Sequence, residues 1–279
     1  MYKILEKSVL APGINLMEIA APLVAKKARP GQFVMIRTHE HGERIPLTIA
    51  DFNRERGILT IVFQEVGKTT EEFATFAAGD SIENCVGPLG KPSEHNGKEN
   101  GKVVCIAGGV GTAVVFPELR KIKQHGNHTI TIQGARNKEL LFWVEKMREF
   151  SDEHYITTDD GTMGRKGFVT DQLEDIINEN PGNIAYVLAI GPIPMMKAVS
   201  RLTAKHSIKT FVSLNTIMVD GTGMCGSCRV TVGDKTMFAC VDGPEFDGHL
   251  VDWEEMTERN NRFIPQEKES LECYRKREL

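Results

Sequence analysis

The sequence predicts an α/β plus β protein: an antiparallel β-barrel, then a doubly wound parallel sheet, then a small C-terminal module. Three observations predict it. Residues 1–97 carry short apolar or alternating runs separated by Gly, Pro and Asn. Residues 98–214 switch to strand–helix alternation. Residues 215–279 crowd three of the six cysteines, Cys225, Cys228 and Cys240, into one short stretch.

Length and composition agree with this division. The chain has 279 residues, and about 150 residues per domain leaves room for two domains and a small third module. Hydrophobic residues at 41% and charged residues at 26% are ordinary for a globular protein. A net charge of −4 gives no general pull toward nucleic acid or anionic lipid. No apolar run approaches the roughly 18 to 20 residues of a membrane span. The opening MYKILEKSVLAPG lacks the apolar segment and cleavage site of a secretory signal. The expectation is a cytoplasmic protein with neither nucleic acid nor membrane as partner.

In the first region Tyr2–Leu10, Ile14–Ala20, Phe33–Arg37, Pro46–Asp51, Ile58–Val66 and Ser81–Val86 read as strands. One short helix, Thr70 to Ala77, interrupts them, and strands at this spacing suggest a small barrel. The polar stretch Lys91 to Gly101 reads as a linker or surface loop. In the second region strands are expected at Val103–Ile106, Thr129–Gln133, Tyr155–Thr158, Ala185–Ile190 and Thr210–Leu214. Helices are expected at Thr112–Gln124, at Glu139–Phe150 (Leu140, Val144 and Met147 at helical spacing), at Val169–Asn178 and at Pro194–Lys205. Five strands with four intervening helices argue for a doubly wound sheet. A charged tail ends the chain.

The cysteine stretch carries the sharpest chemistry. Cys225 and Cys228 are separated by two residues, and Cys240 lies twelve further on, in and after a Gly-rich loop. Thiolates at such spacing suit zinc or an iron–sulfur cluster. Plant-type [2Fe–2S] proteins use C-x4-C-x2-C and a later fourth cysteine. Cys225, Cys228 and Cys240 match the last three positions, and Asp220 stands where the first cysteine belongs. A carboxylate oxygen can ligate iron and is a harder donor than thiolate. A three-cysteine zinc site and plain packing are the competing readings, and an Asp in a Gly-rich loop is often only a turn residue.

Two stretches suit nucleotides. Arg44-Ile-Pro-Leu-Thr48 could hold a flavin through guanidinium and hydroxyl. Gly67, Lys68 and Thr69 open the short helix, whose N–H groups could cradle phosphate, and Gly87 begins a Gly-Pro turn. Gly108, Gly109, Val110, Gly111 and Thr112 lie between a strand and a helix, where missing side chains let backbone approach a pyrophosphate. Gly191, Pro192 and Met195 follow a later strand end, where open α/β sheets bind ligands. Turn chemistry alone explains each stretch equally well. No Ser/His/Asp set or carboxylate pair stands out, so the expected chemistry belongs to cofactors rather than to catalytic side chains.

Order and motifs together resemble the ferredoxin–NADP⁺ reductase superfamily, and more closely the dihydroorotate dehydrogenase electron-transfer subunits, which append a [2Fe–2S] domain. The resemblance runs through R-x-P-L-T, GPLG, AGGVGTA, Asp159-Asp-Gly-Thr-Met-Gly164, GPIPMM and the cysteines. Asp220 and the extended segment Asp242 to Trp253 are similar to the small subunits of NADH-dependent reduced ferredoxin:NADP⁺ oxidoreductase, also described as sulfide dehydrogenase. That resemblance implies FAD on Arg44, Pro46, Leu47, Thr48, Gly67, Lys68, Thr69 and Gly87. It implies NAD(H) on Gly108 to Thr112, on Asp159, Asp160 and Gly161, and on Gly191, Pro192 and Met195. It implies a [2Fe–2S] cluster on Asp220, Cys225, Cys228 and Cys240. The implied partner is a larger glutamate-synthase-like flavoprotein with further iron–sulfur clusters, with ferredoxin reached through the complex, which performs electron bifurcation. A dihydroorotate dehydrogenase subunit, for which four cysteines are expected, and a zinc-binding regulatory subunit remain as alternatives. Arg136 could meet a 2′-phosphate or simply lie on the surface, so NAD versus NADP stays open.

Overall fold

The computed structural model describes residues 1–95 and 97–277. Asn96 in the expected Lys91–Gly101 loop, and Glu278 and Leu279 at the end of the expected tail, lie outside the described residues.

The N-terminal region holds β1 (Tyr2–Ala11), β2 (Ile14–Ala20), α1 (Pro22–Lys27), β3 (Phe33–Arg37), β4 (Arg44–Asn53), β5 (Ile58–Gln64), α2 (Lys68–Thr75), β6 (Ser81–Ile82) and β7 (Asn84–Leu89). Its sheet runs β6-β1-β2-β5-β4-β3-β7, with every pair antiparallel. The two edge strands, β6 and β7, are separated in sequence only by Glu83, so the sheet edges meet and the barrel nearly closes. The single expected strand Ser81–Val86 is therefore two strands, one at each edge. Alternation sends Val34, Ile36, Ile45 and Leu47 into the barrel core and Phe33, Met35, Arg44, Pro46 and Thr48 outward. Helix α1 was not expected; its Pro stands at the first turn, where a missing N–H costs nothing, and Val24 and Ala25 are buried.

The second sheet contains β8 (Lys102–Gly108), β9 (His128–Ala135), β10 (Glu153–Thr158), β11 (Arg165–Lys166), β12 (Ile184–Ile190), β13 (Thr210–Ser213) and, from further on, β16 (Glu245–Asp247). Its order is β11-β10-β9-β8-β12-β13-β16, parallel except at β16. The chain thus starts in the middle, runs to one edge, and returns past β8 to the other side, the doubly wound topology. Val103, Cys105 and Ala107 face α3 (Gly111–Gln124), whereas Val104 and Ile106 face α5 (Val169–Glu179) and α6 (Ile193–Lys205).

The expected helix Glu139–Phe150 is broken. A single 3₁₀ turn covers Lys138–Leu140 and α4 covers only Val144–Glu149. Asn137 caps the 3₁₀ turn through the Leu140 N–H, and buried Gln133 Nε2 donates to the Phe142 carbonyl at 2.8 Å. Trp143, at φ 55°, turns the chain so that Phe142 and Trp143 pack where the barrel meets α3. Tertiary burial outweighs the helical spacing.

The C-terminal region adds a hairpin, β14 (Arg229–Val232) with β15 (Lys235–Phe238), then β16, α7 (Trp253–Asn261) and α8 (Ile264–Arg277). Cys228, Val230, Ala239, Cys240, Trp253 and Met256 share one core with Val212 and Leu214 of the second sheet and with Phe33 and Met35 on the barrel's outer face. The stretch expected as a surface loop is partly interior: Ser93 and His95 are buried, and the His95 ring stacks on Tyr186 at 4.7 Å. No helix among the described residues is long and apolar enough to cross a membrane.

Candidate functional site

Three groups of residues converge where the modules meet. The first surrounds the switch point between β8 and β12. A Cβ on Gly108 would press on Met195 Sδ, and one on Gly191 would come within 3.0 Å of the Gly108 Cα, so only glycines let these two strand ends touch. A cleft of about 630 Å³ opens above them. Gly108, Gly109, Val110, Asp159, Pro192 and Met195 line it, together with Arg136. Gly111 and Thr112 start α3 just behind, with Thr112 buried beside Gln133. Asp160 and Gly161 are not on the cleft wall; they form an exposed turn in which Asp160 accepts from the Thr162 hydroxyl at 2.7 Å and N–H at 2.9 Å. Those bonds hold the Asp160 carboxyl below the usual carboxylate range.

Sequence reasoning missed Ile14 and Gln64 of the barrel and Phe168 and Thr170 at the start of α5, all on the cleft wall. Phe168 is 63% exposed, an aromatic left uncovered at a helix start. Nothing in the sequence marks Ile14 or Gln64, because the cleft forms only when the modules pack.

The second group lies on the barrel. Arg44, Pro46 and Thr48 share the outward face of β4, Pro46 directly opposite Met35 and Thr48 opposite Phe33, whereas Leu47 packs inward. Glu43 links this strand to the start of α2: Thr69 Oγ1 donates to it at 2.6 Å and Lys68 Nζ stands 3.7 Å away. Gly67 precedes α2, and its N–H is held by Thr70 Oγ1 at 3.0 Å. Gly87 sits beside β3, where a Cβ would press on Val34.

The third group is the cysteine loop. Asp220 accepts from Thr222 N–H at 2.7 Å and from Cys225 N–H at 2.8 Å, and these bonds, Thr222 first, keep its carboxyl below the usual range and ionised. Cys228 and Cys240 are buried against each other, and burial, with Cys228 beside it, pushes the Cys240 thiol up to about 12. Such a thiol ionises when a metal supplies positive charge. The four residues therefore stand as two pairs, Asp220 with Cys225 and Cys228 with Cys240. Among the described residues no three His, Cys, Asp or Glu side chains gather as a single-ion site. Two irons taking two protein ligands each fit a pairwise donor set of this kind. At Gly221 (φ 74°) a Cβ would collide with Met35 and Leu89, so the loop lies directly on the barrel face that carries Pro46 and Thr48.

Residues 105–201 match the family described as oxidoreductase NAD-binding domain. Residues 215–252 match the iron–sulfur cluster binding domain of dihydroorotate dehydrogenase B. The chain is 46% identical to the dihydroorotate dehydrogenase B (NAD(+)) electron transfer subunit homolog of Thermotoga maritima, covering 99% of this chain and 96% of the relative. It is 32% identical to the corresponding electron transfer subunit of Desulforamulus reducens, covering 90% and 97%. A chain in the solved NADH-dependent reduced ferredoxin-NADP oxidoreductase, a structure described for flavin-based electron bifurcation, superposes with a TM-score of 0.91 at 45% identity over 98% of each chain.

Proposed function

The chain belongs to the family of dihydroorotate dehydrogenase B-type electron transfer subunits, and on that premise we propose that it is the NAD(H)-binding small subunit of a flavin-based electron-bifurcating NADH/reduced ferredoxin/NADP⁺ oxidoreductase. It is an oxidoreductase subunit whose cofactors are FAD, NAD(H) and an iron–sulfur cluster. Bound in this subunit, FAD would supply hydride exchange with a nicotinamide and one-electron exchange with a [2Fe–2S] cluster.

The residues divide the work. Arg44 offers its guanidinium to the FAD pyrophosphate beside the α2 N-terminus. Because the Thr69 hydroxyl is committed to Glu43 and the Gly67 N–H to Thr70, Lys68 and Thr69 would meet phosphate through their backbone amides, with Gly67 as the turn that opens the helix. Pro46 and Thr48, on the outward face, would hold the flavin ring, Leu47 anchors their strand in the barrel core, and Gly87 keeps the neighbouring strand flat against β3. Gly108 to Val110, Pro192 and Met195 hold the nicotinamide nucleotide in the cleft, with Gly111 and Thr112 behind it. Ile14 and Gln64 wall the cleft on the barrel side. Asp159 stands at the rim, with Asp160 and Gly161 shaping the turn beyond it. Asp220, Cys225, Cys228 and Cys240 would hold the cluster, in the two pairs in which they stand.

One observation carries this reading. The cluster loop, through Gly221, rests on the same barrel face that presents Pro46 and Thr48, while the nucleotide cleft is walled by that barrel at Ile14 and Gln64. A flavin held between them would have the nucleotide cleft on one side and the cysteine loop on the other. The partner that this reading requires is a larger glutamate-synthase-like flavoprotein with iron–sulfur clusters, through which ferredoxin is reached.

The family relatives favour a second reading, the electron transfer subunit of an NAD-dependent dihydroorotate dehydrogenase. Asp220 in place of a cysteine argues against it. The two part on acceptor chemistry. The anaerobic holo-complex with its partner is expected to reduce NADP⁺ using NADH and reduced ferredoxin together, and with neither donor alone. NAD⁺ reduction by dihydroorotate would support the second reading, and failure of NADH to bleach the flavin would contradict both.

A further inference from the structure

Helix α7 ties down the cluster loop at two points. Asn260 Nδ2 donates to the Asn215 carbonyl at 2.8 Å, where the segment leaves the sheet. Arg259 Nη2 donates to the Ser227 carbonyl at 3.1 Å, between Cys225 and Cys228. Both ties follow from the spacing of the helix: Met256, one turn earlier, is buried in the core with Cys228 and Cys240, so residues 259 and 260 come round to the loop. Burial, and after it the like charges of Arg229 and Arg262, lower the Arg259 pKa; Glu255 and Cys228 oppose that shift. The Arg259 Nε is buried without a hydrogen-bond partner. With one carboxylate, Glu255, set against these like charges, positive charge is left over beside Cys228 that an anion there would compensate.

An iron–sulfur cluster held by thiolates and a carboxylate is such an anion, and it gains one further negative charge on reduction. We propose that Arg259 is a positioning residue that sets the reduction potential of the cluster, its charge favouring the reduced form while its hydrogen bond to Ser227 holds the Cys225–Cys228 turn. Charge and hydrogen bonds around the sulfurs are among the levers by which proteins tune such centres. The inference rests on the reading of Asp220, Cys225, Cys228 and Cys240 as cluster ligands.

The test is an anaerobic redox titration of the full chain followed by EPR, with iron analysis, on wild type, Arg259→Gln, Arg259→Lys and Asn260→Ala. Arg259→Gln is expected to lower the ratio of reduced to oxidised cluster at fixed poise about tenfold, or about 59 mV for one electron. Arg259→Lys, which keeps the charge, and Asn260→Ala, which removes only a packing tie, are expected to stay near wild type. An unchanged potential in an iron-replete Arg259→Gln chain would overturn the proposal. So would equal shifts in all three variants, which would reduce the effect to loop packing. Should Arg259→Gln lose its iron, Arg229→Gln on the exposed neighbour carries the test: a shift in the same direction supports the proposal, and none overturns it. A wild-type chain with no [2Fe–2S] signal would remove the underlying reading and this inference with it.

Discussion

Glu118 of α3 is the most deeply buried acid among the described residues, facing Ser93, His95, Lys121 and Glu245. Burial, and Glu245 after it, raise its pKa from an ordinary 4.5 to about 7, against the pull of Ser93, His95 and Lys121. The folded chain therefore keeps a proton that the unfolded chain has released between those values, so stability falls as pH rises through that window and is level above it. Glu118→Gln removes the charge at constant shape. It is expected to be more stable than wild type near pH 8 by about 1–3 kcal/mol, with the gap closing below about pH 5. Urea midpoints at the two pH values check this, and an unchanged pH slope in the variant would contradict it. Glu118 was invisible in the sequence, since it lies on a helix whose other buried residues are mostly apolar and only packing seals it. Asp220 stood out only by its position, five residues before Cys225, and the structure bonds its carboxylate to the Thr222 and Cys225 N–H groups.

Elements were legible where one physical signal dominated. The strands at Ile14–Ala20 and Phe33–Arg37 have the expected bounds, and α3, α5 and α6 lie within a residue or so of them. The broken helix before α4 was not, because helical spacing lost to the burial of Phe142 and Trp143 between barrel and sheet. At the same junction Arg120 forks onto Asp51 at 2.7 and 3.1 Å, and Lys146 stands 3.8 Å from it, joining α3 and α4 to β4. Asp51→Ala is expected to lower stability by about 1–2 kcal/mol in urea unfolding, more than a surface ion pair gives. It is also expected to slow flavin reduction by NADH, since the cleft is walled from both sides of this junction. Gly111→Ala is more severe locally. The new methyl would meet the Ile190 carbonyl, forcing α3 away from β12 at a cost of about 1–3 kcal/mol and weakening NADH binding in a fluorescence titration.

At the scale of the whole molecule the order of modules was legible and their packing was not. The sequence marks where strands give way to strand–helix alternation and then to cysteines, but not that β16 adds to the second sheet or that Gly221 rests on Met35. The charged tail is helical: α8 runs back across the barrel to α2, where Arg275 pairs with Glu71. Its described side chains are mostly exposed, so deleting residues 264–279 is expected to move the melting temperature by no more than about 2–4 °C; a larger drop in a thermal scan would give the tail a structural role. Electrons pass, on the reading proposed above, from the nucleotide cleft to a cluster with one carboxylate ligand. EPR of the dithionite-reduced chain beside Asp220→Cys and Asp220→Ala, with iron and flavin analysis, tests this most directly. The expected result is a [2Fe–2S] signal that shifts in the Cys variant and weakens or vanishes in the Ala variant. A colourless, zinc-loaded chain without signal, or a signal indifferent to both substitutions, would contradict it.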